Sequence, residues 1–247
     1  MNILKKLNKD YPDDYIDLIN RTLDFIVKKF NDDLVSAILG GSGGKGNIIP
    51  GWSDIDLYIV LKRFDLKCIY DMTRYILKED IHIGITYYLY DEVLNNIIDG
   101  KTKVMLYEKQ NYNVNPTLFG SDNIFNKISY EAIKENDKNI FPNILHDLRR
   151  RYIDIYIDED KKIDKVYIKK LLVLIKCILN YYNIFSYGYK ETFEKFKKIY
   201  KLNKKDLNSI DNFDIMYTIN NMLCSKDRVL EFTFNVFKFI EHNRVYK

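Results

Sequence analysis

The chain has 247 residues, 47% of them hydrophobic and 30% charged, with 39 Lys and Arg against 35 Asp and Glu for a net charge of +4, which excludes a disordered or fibrous chain and allows one large or two small domains. Cys68, Cys177 and Cys224 are far apart and odd in number, so they form neither a disulfide framework nor a metal-binding spacing and read as reduced core residues. The longest apolar run, residues 171–175, is hemmed in by lysines and the opening MNILKKLNKDYPDDY lacks a signal-peptide core, so a cytoplasmic protein without a membrane span is expected.

Residues 11–30, YPDDYIDLINRTLDFIVKKF, place Tyr15, Ile16, Ile19, Leu23, Ile26, Val27 and Phe30 at helical spacing. Acids come early and lysines late, as the helix dipole prefers. The apolar run 34–39 predicts a strand ending in a glycine-rich turn, Gly40, Gly41, Ser42, Gly43, Gly44, Lys45 and Gly46. A second strand follows over 55–61, entered through Ser53, Asp54, Ile55, Asp56 and Leu57. Strand alternation sends Asp54 and Asp56 to one side and Ile55 and Leu57 to the other, toward a core.

Two adjacent carboxylates repel, and one of them tends to keep its proton unless a cation intervenes. Mg2+ suits that place, being held by one or two carboxylates together with waters and substrate phosphates. The glycines complement it, because a chain with few Cβ atoms lets backbone N–H groups approach phosphate, and Lys45 adds a mobile positive charge. A glycine turn alone is usually a turn, and an Asp-x-Asp alone is usually a solvated strand edge. Their conjunction at this spacing, between two strands, points to a triphosphate site. The chain has no G-x-x-x-x-G-K-[ST] for a P-loop, and its glycine run is not an ordinary G-x-G-x-x-G entering a helix as in a dinucleotide fold.

A Gly-Ser turn after a strand, eleven further residues (43–53), then Asp-hydrophobic-Asp-hydrophobic resembles the signature of the polymerase-beta-like nucleotidyltransferase superfamily. Within it, the stretch GNIIPGWSDIDLYIV is most similar to the aminoglycoside (streptomycin and spectinomycin type) adenylyltransferases. The resemblance implies an α+β fold, with a nucleotidyltransferase-type mixed sheet domain followed by a C-terminal α-helical bundle domain. It implies Mg2+ as cofactor and ATP or another nucleoside triphosphate as substrate. It also implies Gly41, Ser42, Lys45 and Ser53 on the nucleotide, and Asp54 and Asp56 as catalytic metal ligands.

Residues 65–78 read as a helix and 81–90 as a third strand. Members of the superfamily usually carry a third carboxylate on that strand, but the candidate positions here hold His82 and Gly84, with Thr86 on the same face. The nearest acids, Glu79 and Asp80, precede it. Three readings stand: Asp80 reaches the metals through another register, His82 acts as ligand or proton acceptor, or the apparatus is incomplete. A core or edge histidine is the more ordinary use of His82. Residues 91–100 predict a short helix closed by Gly100, and 103–107 a fourth strand, giving a mixed sheet with helices on one side. The segment 110–125, rich in Asn, Pro, Gly and Ser, is the expected boundary, so that 1–124 is the nucleotidyltransferase domain and 125–247 a helical acceptor-binding domain.

Five helices are expected there, over 142–158 with Pro142 in the first turn, 165–183 buried nearly all round, 191–200, about 205–223, and 226–243 capped by Ser225. YGYKETFEKF resembles the adenylyltransferase segment that brings a phosphate-contacting lysine, which would be Lys190; an exposed helix-start lysine is the ordinary alternative. Glu131, Glu135, Asp137 and Asp147 are candidate general bases, and Tyr87, Tyr88, Tyr90, Tyr181 and Tyr182 either stack on a base or simply pack.

The resemblance favours a small aminoglycoside-like hydroxyl acceptor. Residues 1–110 hold 15 Lys and Arg against 17 Asp and Glu, net −2, which leaves 24 against 18, net +6, for 111–247. A basic half suits a polycationic acceptor poorly, so an RNA or protein hydroxyl stays open. The alternative class is a catalytically silent nucleotide-binding or partner-binding module of the antitoxin or regulator type.

Overall fold

The computed structural model describes residues 11–158, 160–203 and 226–246, and the chain divides into two units, Met1–Tyr130 and Glu131–Lys247. Helix α1 (Asp13–Phe30) starts behind Pro12, whose ring fixes an extended entry, with Asp13 and Asp14 in its first turn and Lys28 and Lys29 in its last. It buries Tyr15, Leu18, Ile19, Thr22, Ile26 and Phe30 along one face. Asn31, at positive φ, turns the chain through a 3-10 turn into β1 (Leu34–Gly40). There follow α2 (Gly41–Lys45), β2 (Ile55–Leu61), α3 (Leu66–Ile76), β3 (Ile83–Leu89), α4 (Tyr90–Leu94), α5 (Gly100–Tyr112) and β4 (Thr117–Gly120).

The sheet order is β3-β2-β1-β4. Strand β1 is antiparallel to β2 and β4, while β2 and β3 run parallel through the crossover helix α3, so the sheet is mixed. Ile55, Leu57, Ile59 and Leu61 pack with α1, with Met72 of α3 and with Ile83 of β3. Each such burial contributes about 2 kcal/mol, and a one-residue slip would turn Asp56 into that core, so the register is strongly set. Tyr58 and Val60, on the Asp56 side of β2, are buried too. There α5 covers the sheet: the Lys101 ammonium lies 5.9 Å from the Tyr58 ring centre, and Met105 Cγ comes within 3.4 Å of where a Cβ on Gly40 would stand. Helices therefore lie on both faces, not on one.

Two further expectations are corrected. Residues 103–107 are helix, inside α5, and the fourth strand is β4. The Asp99 side chain caps α5 by accepting from the Thr102 N–H, and the buried positions Thr102, Met105 and Leu106 follow helical spacing. Likewise Pro142 lies inside α6 (Tyr130–Ile157) and does not open it. Ile133, Asp137, Phe141, Leu145 and Leu148 bury at every third or fourth position straight through the proline, and that packing offsets the lost backbone hydrogen bond.

The second unit continues with α7 (Lys165–Tyr181), capped by Asp164 and buried on most sides, then α8 (Tyr189–Asn203) and α9 (Lys226–Asn243). The expected helix over 205–223, with Cys224 and the Ser225 cap, lies outside the described residues. Among the described residues no helix is long and apolar enough to cross a membrane.

Candidate active site

The end of β1 pairs residue for residue with the start of β2, and Gly40 stands opposite Asp56. The glycine turn begins at that point, as the single helical turn α2. The first N–H groups of any helix lack intrahelical acceptors, and nothing from a side chain caps this one. Gly41 sits at φ +60, and a Cβ there would overlap Asp56 Oδ2, so only glycine lets the turn start this close to the acid.

On the other side, Asp56 pairs with Gly84 of β3, where a Cβ would lie 3.5 Å from Asp56 Oδ1. The position best placed for a third carboxylate is therefore a glycine. Asp80 and His82 are exposed and precede β3; His82 contributes its carbonyl, which accepts from the Ile55 N–H at 2.9 Å. Asp54 is half-buried one step before β2, and its charge adds to burial and to Asp14 in raising the Tyr15 hydroxyl above the ordinary tyrosine range.

Two tyrosines, Tyr11 just ahead of α1 and Tyr15 in its first turn, hold the connection between β1 and β2. Tyr11 donates to the Gly43 carbonyl at 2.8 Å and Tyr15 to the Ser53 carbonyl at 2.9 Å. Ser53 spends its hydroxyl on the loop itself, accepting from the Ile49 N–H at 2.9 Å. Ser42 is half-exposed in α2, with its carbonyl taken by the Asn47 N–H.

Lys45 does not point freely into solvent. Its ammonium lies 2.7 Å from Glu108 of α5, whose side chain is only 2% exposed. Asn115 donates to the other Glu108 oxygen at 3.4 Å and bonds the Gly44 carbonyl through its backbone N–H at 2.8 Å. Two turns earlier on the same helix, Lys101 donates to Asp56 Oδ1 at 2.9 Å. The start of α5 is tied to β3 by Tyr88, whose hydroxyl donates to Asp99 and lies 2.7 Å from Thr102 Oγ1. Burial, then Asp99, pushes that hydroxyl up to about 12.

Residues 19–104 match the family model described as a nucleotidyltransferase domain. This stretch has the fold of a nucleotidyltransferase domain. No curated protein sequence matches the chain. Among solved structures it is similar to the crystal structure of spectinomycin adenyltransferase AAD(9) from Enterococcus faecialis with ATP and spectinomycin. The identity is 14%, the TM-score 0.58, and the match covers 92% of this chain and 98% of that one. At that identity the likeness establishes a shared fold.

Lys101 and Glu108 belong to no motif, and the strand expected over 103–107 conceals the helix that brings both to the site. The available signal was Asp99 ahead of a run of good helix formers. Among the described residues no group of three or more His, Cys, Asp or Glu is arranged to hold a metal ion. The donor set still fits Mg2+ arriving with a triphosphate, for which one or two carboxylates suffice beside phosphate oxygens.

Most of the remaining candidates lie in the second unit. Lys190 is exposed in the first turn of α8. Glu131 pairs with Lys134 at 3.2 Å, and Glu135 is exposed. Asp137 is buried and accepts from Asn180 at 2.5 Å; burial raises its pKa against that bond. Asp147 meets Lys170, Arg151 and Arg150, and the Lys170 hydrogen bond leads in lowering its pKa to about 2. Tyr181 and Tyr182 pack edge to face on one another, and Tyr87 packs against Phe30 in the first unit.

Proposed function

We propose that the chain is a Mg2+-dependent nucleotidyltransferase that moves a nucleoside monophosphate, AMP from ATP in the favoured case, onto a hydroxyl acceptor. One observation carries this: the Gly40–Asp56 pairing, which sets the open amides of the glycine turn against a carboxylate that is 25% exposed. In this reading the N–H groups of Gly41, Ser42 and Gly43, with the Ser42 hydroxyl, receive triphosphate oxygens, and Asp54 and Asp56 hold the cation. Ser53 shapes the loop that delivers the two acids. Lys45 stays with Glu108 and shapes the turn, since leaving would strand a buried carboxylate. Lys190 is assigned to phosphate by resemblance.

A divalent cation bound by these acids would neutralise charge on the transferred phosphoryl group and the departing pyrophosphate. The chain's own contribution is to hold the triphosphate in line for an acceptor oxygen and to keep the turn's dipoles aimed at it. The solved adenyltransferase with ATP and spectinomycin supports a small hydroxylated acceptor, with the helical unit as its binding domain. RNA competes as acceptor because residues 111–247 carry net +6. A cytoplasmic location fits a reaction that consumes nucleoside triphosphate.

The test is pyrophosphate release with each of the four triphosphates over pooled small-molecule and RNA acceptors. Asp54→Asn and Asp56→Asn should each lower turnover by at least about 1000-fold while leaving the melting curve in place. Turnover retained in either variant refutes the assignment. The glycine at position 84 favours a second reading, a nucleotide-binding module without turnover. It predicts triphosphate binding by calorimetry and no pyrophosphate under any acceptor.

A further inference from the structure

Asp56 has a resident cation. Lys101 Nζ sits 2.9 Å from Oδ1, the same oxygen that a side chain at position 84 would meet. The local charge of Asp54, Asp56 and Lys101 is therefore −1, where a third carboxylate and no lysine would give −3. A lysine in the first turn of a helix stands at the wrong end of the dipole, and Lys101 follows the Asp99 cap by two residues. Its place there is explained by Asp56, not by the needs of α5.

The pair is also easy to part. The Lys101 side chain is 66% exposed, and it adds only a cation–π contact to the Tyr58 ring at 5.9 Å. Such exposed pairs contribute little stability, so the ammonium can part from Asp56 once a complex that also engages the glycine turn competes for the carboxylate. The contrast with Lys45, held at 13% exposure against a buried Glu108, is plain.

We infer that Lys101 is a counter-cation that keeps a free divalent ion off Asp56 and yields only to a metal–triphosphate complex, so that the metal enters this site together with the nucleotide. Lys101 is thus a positioning residue acting through Asp56. The inference rests on the proposed function for the identity of the nucleotide, but the behaviour of the free protein tests it separately.

The probe is Mn2+ binding followed by electron paramagnetic resonance, on wild type, Lys101→Gln and Lys101→Arg, without nucleotide and then with ATP, GTP, CTP or UTP. Without nucleotide, Lys101→Gln should bind Mn2+ at least about 10-fold more tightly than wild type. Lys101→Arg should behave as wild type, and adding Asp56→Asn to Lys101→Gln should abolish the gain. Equal affinity of wild type and Lys101→Gln, or a gain that survives Asp56→Asn, overturns the inference. With a triphosphate, wild type should form a ternary complex at Mn2+ concentrations where the free protein binds none. If the Lys101→Gln gain appears and no triphosphate yields a ternary complex, the counter-cation role of Lys101 stands, while the entry of metal with nucleotide and the nucleotidyltransferase reading fall together.

Discussion

The two units treat their carboxylates in opposite ways. In the sheet unit Asp56 is left part-open, with one removable lysine on one oxygen and a glycine beside each. In the helical unit Asp147 is ringed by Arg150, Arg151 and Lys170, and Asp137 is sunk against Asn180. A group meant to exchange partners is held weakly and near water, whereas a group that fixes helices is held by several partners or sealed away. The Lys45–Glu108 pair belongs with the second kind although it lies beside the candidate site, because it fixes the shape of the turn.

The largest effect is expected where that distinction is sharpest. Glu108→Gln removes the counter-charge of a largely buried ammonium and should cost about 3 kcal/mol of stability, read as a lowered urea midpoint. Lys101→Gln, an exposed pair, should move the same midpoint by less than about 1 kcal/mol. Comparable losses in both would erase the comparison. Next comes Gly41→Ala, which combines a positive φ with overlap on Asp56. It should cost about 1–2 kcal/mol and lower triphosphate affinity more than melting temperature, as calorimetry on the folded variant can show.

Smaller effects should separate the helical unit's two acids by pH. The folded-state pKa of Asp147 is depressed to about 2, so its contribution is present above the unfolded value near 3.9 and is lost as pH falls through about 2. The gap in urea midpoint between wild type and Asp147→Asn should be full at neutral pH and close on acidification. Asp137 has the opposite sign. Its raised pKa means that burial favours the protonated form, with stability greatest below the unfolded value and lost as pH rises through the folded one. Asp137→Asn should therefore be slightly more stable than wild type at neutral pH, and the advantage should vanish in acid. A variant less stable at neutral pH would show that the carboxylate is needed in its charged form.

What could be read from residues alone follows from where each element gets its stability. Strand β2 alternates on a one-sided core, and its bounds of 55 and 61 were legible along with Asp56. Helix α9 begins and ends where its apolar spacing does. Apart from the Asp99 cap, helix α5 is faint in the sequence because its inward face mixes Met105 and Leu106 with Thr102 and Glu108, polar groups whose burial depends on Tyr88, Asp99, Lys45 and Asn115. No periodicity of apolar residues records such a face. Strand β4 escaped for a related reason, since it is a four-residue edge with Leu118 alone buried. Within the site, the sequence shows Lys45 as a positive charge at the glycine turn, but its buried partner lies 63 positions away in the chain.

The hydroxyls of Tyr11, just ahead of α1, and Tyr15, in its first turn, tie both ends of the connection between β1 and β2 to one short segment of chain. Two separate points of that connection therefore share one anchor, and Tyr11→Phe and Tyr15→Phe would each release one of them. In the proposed reaction, that common anchor would set the span a triphosphate bridges.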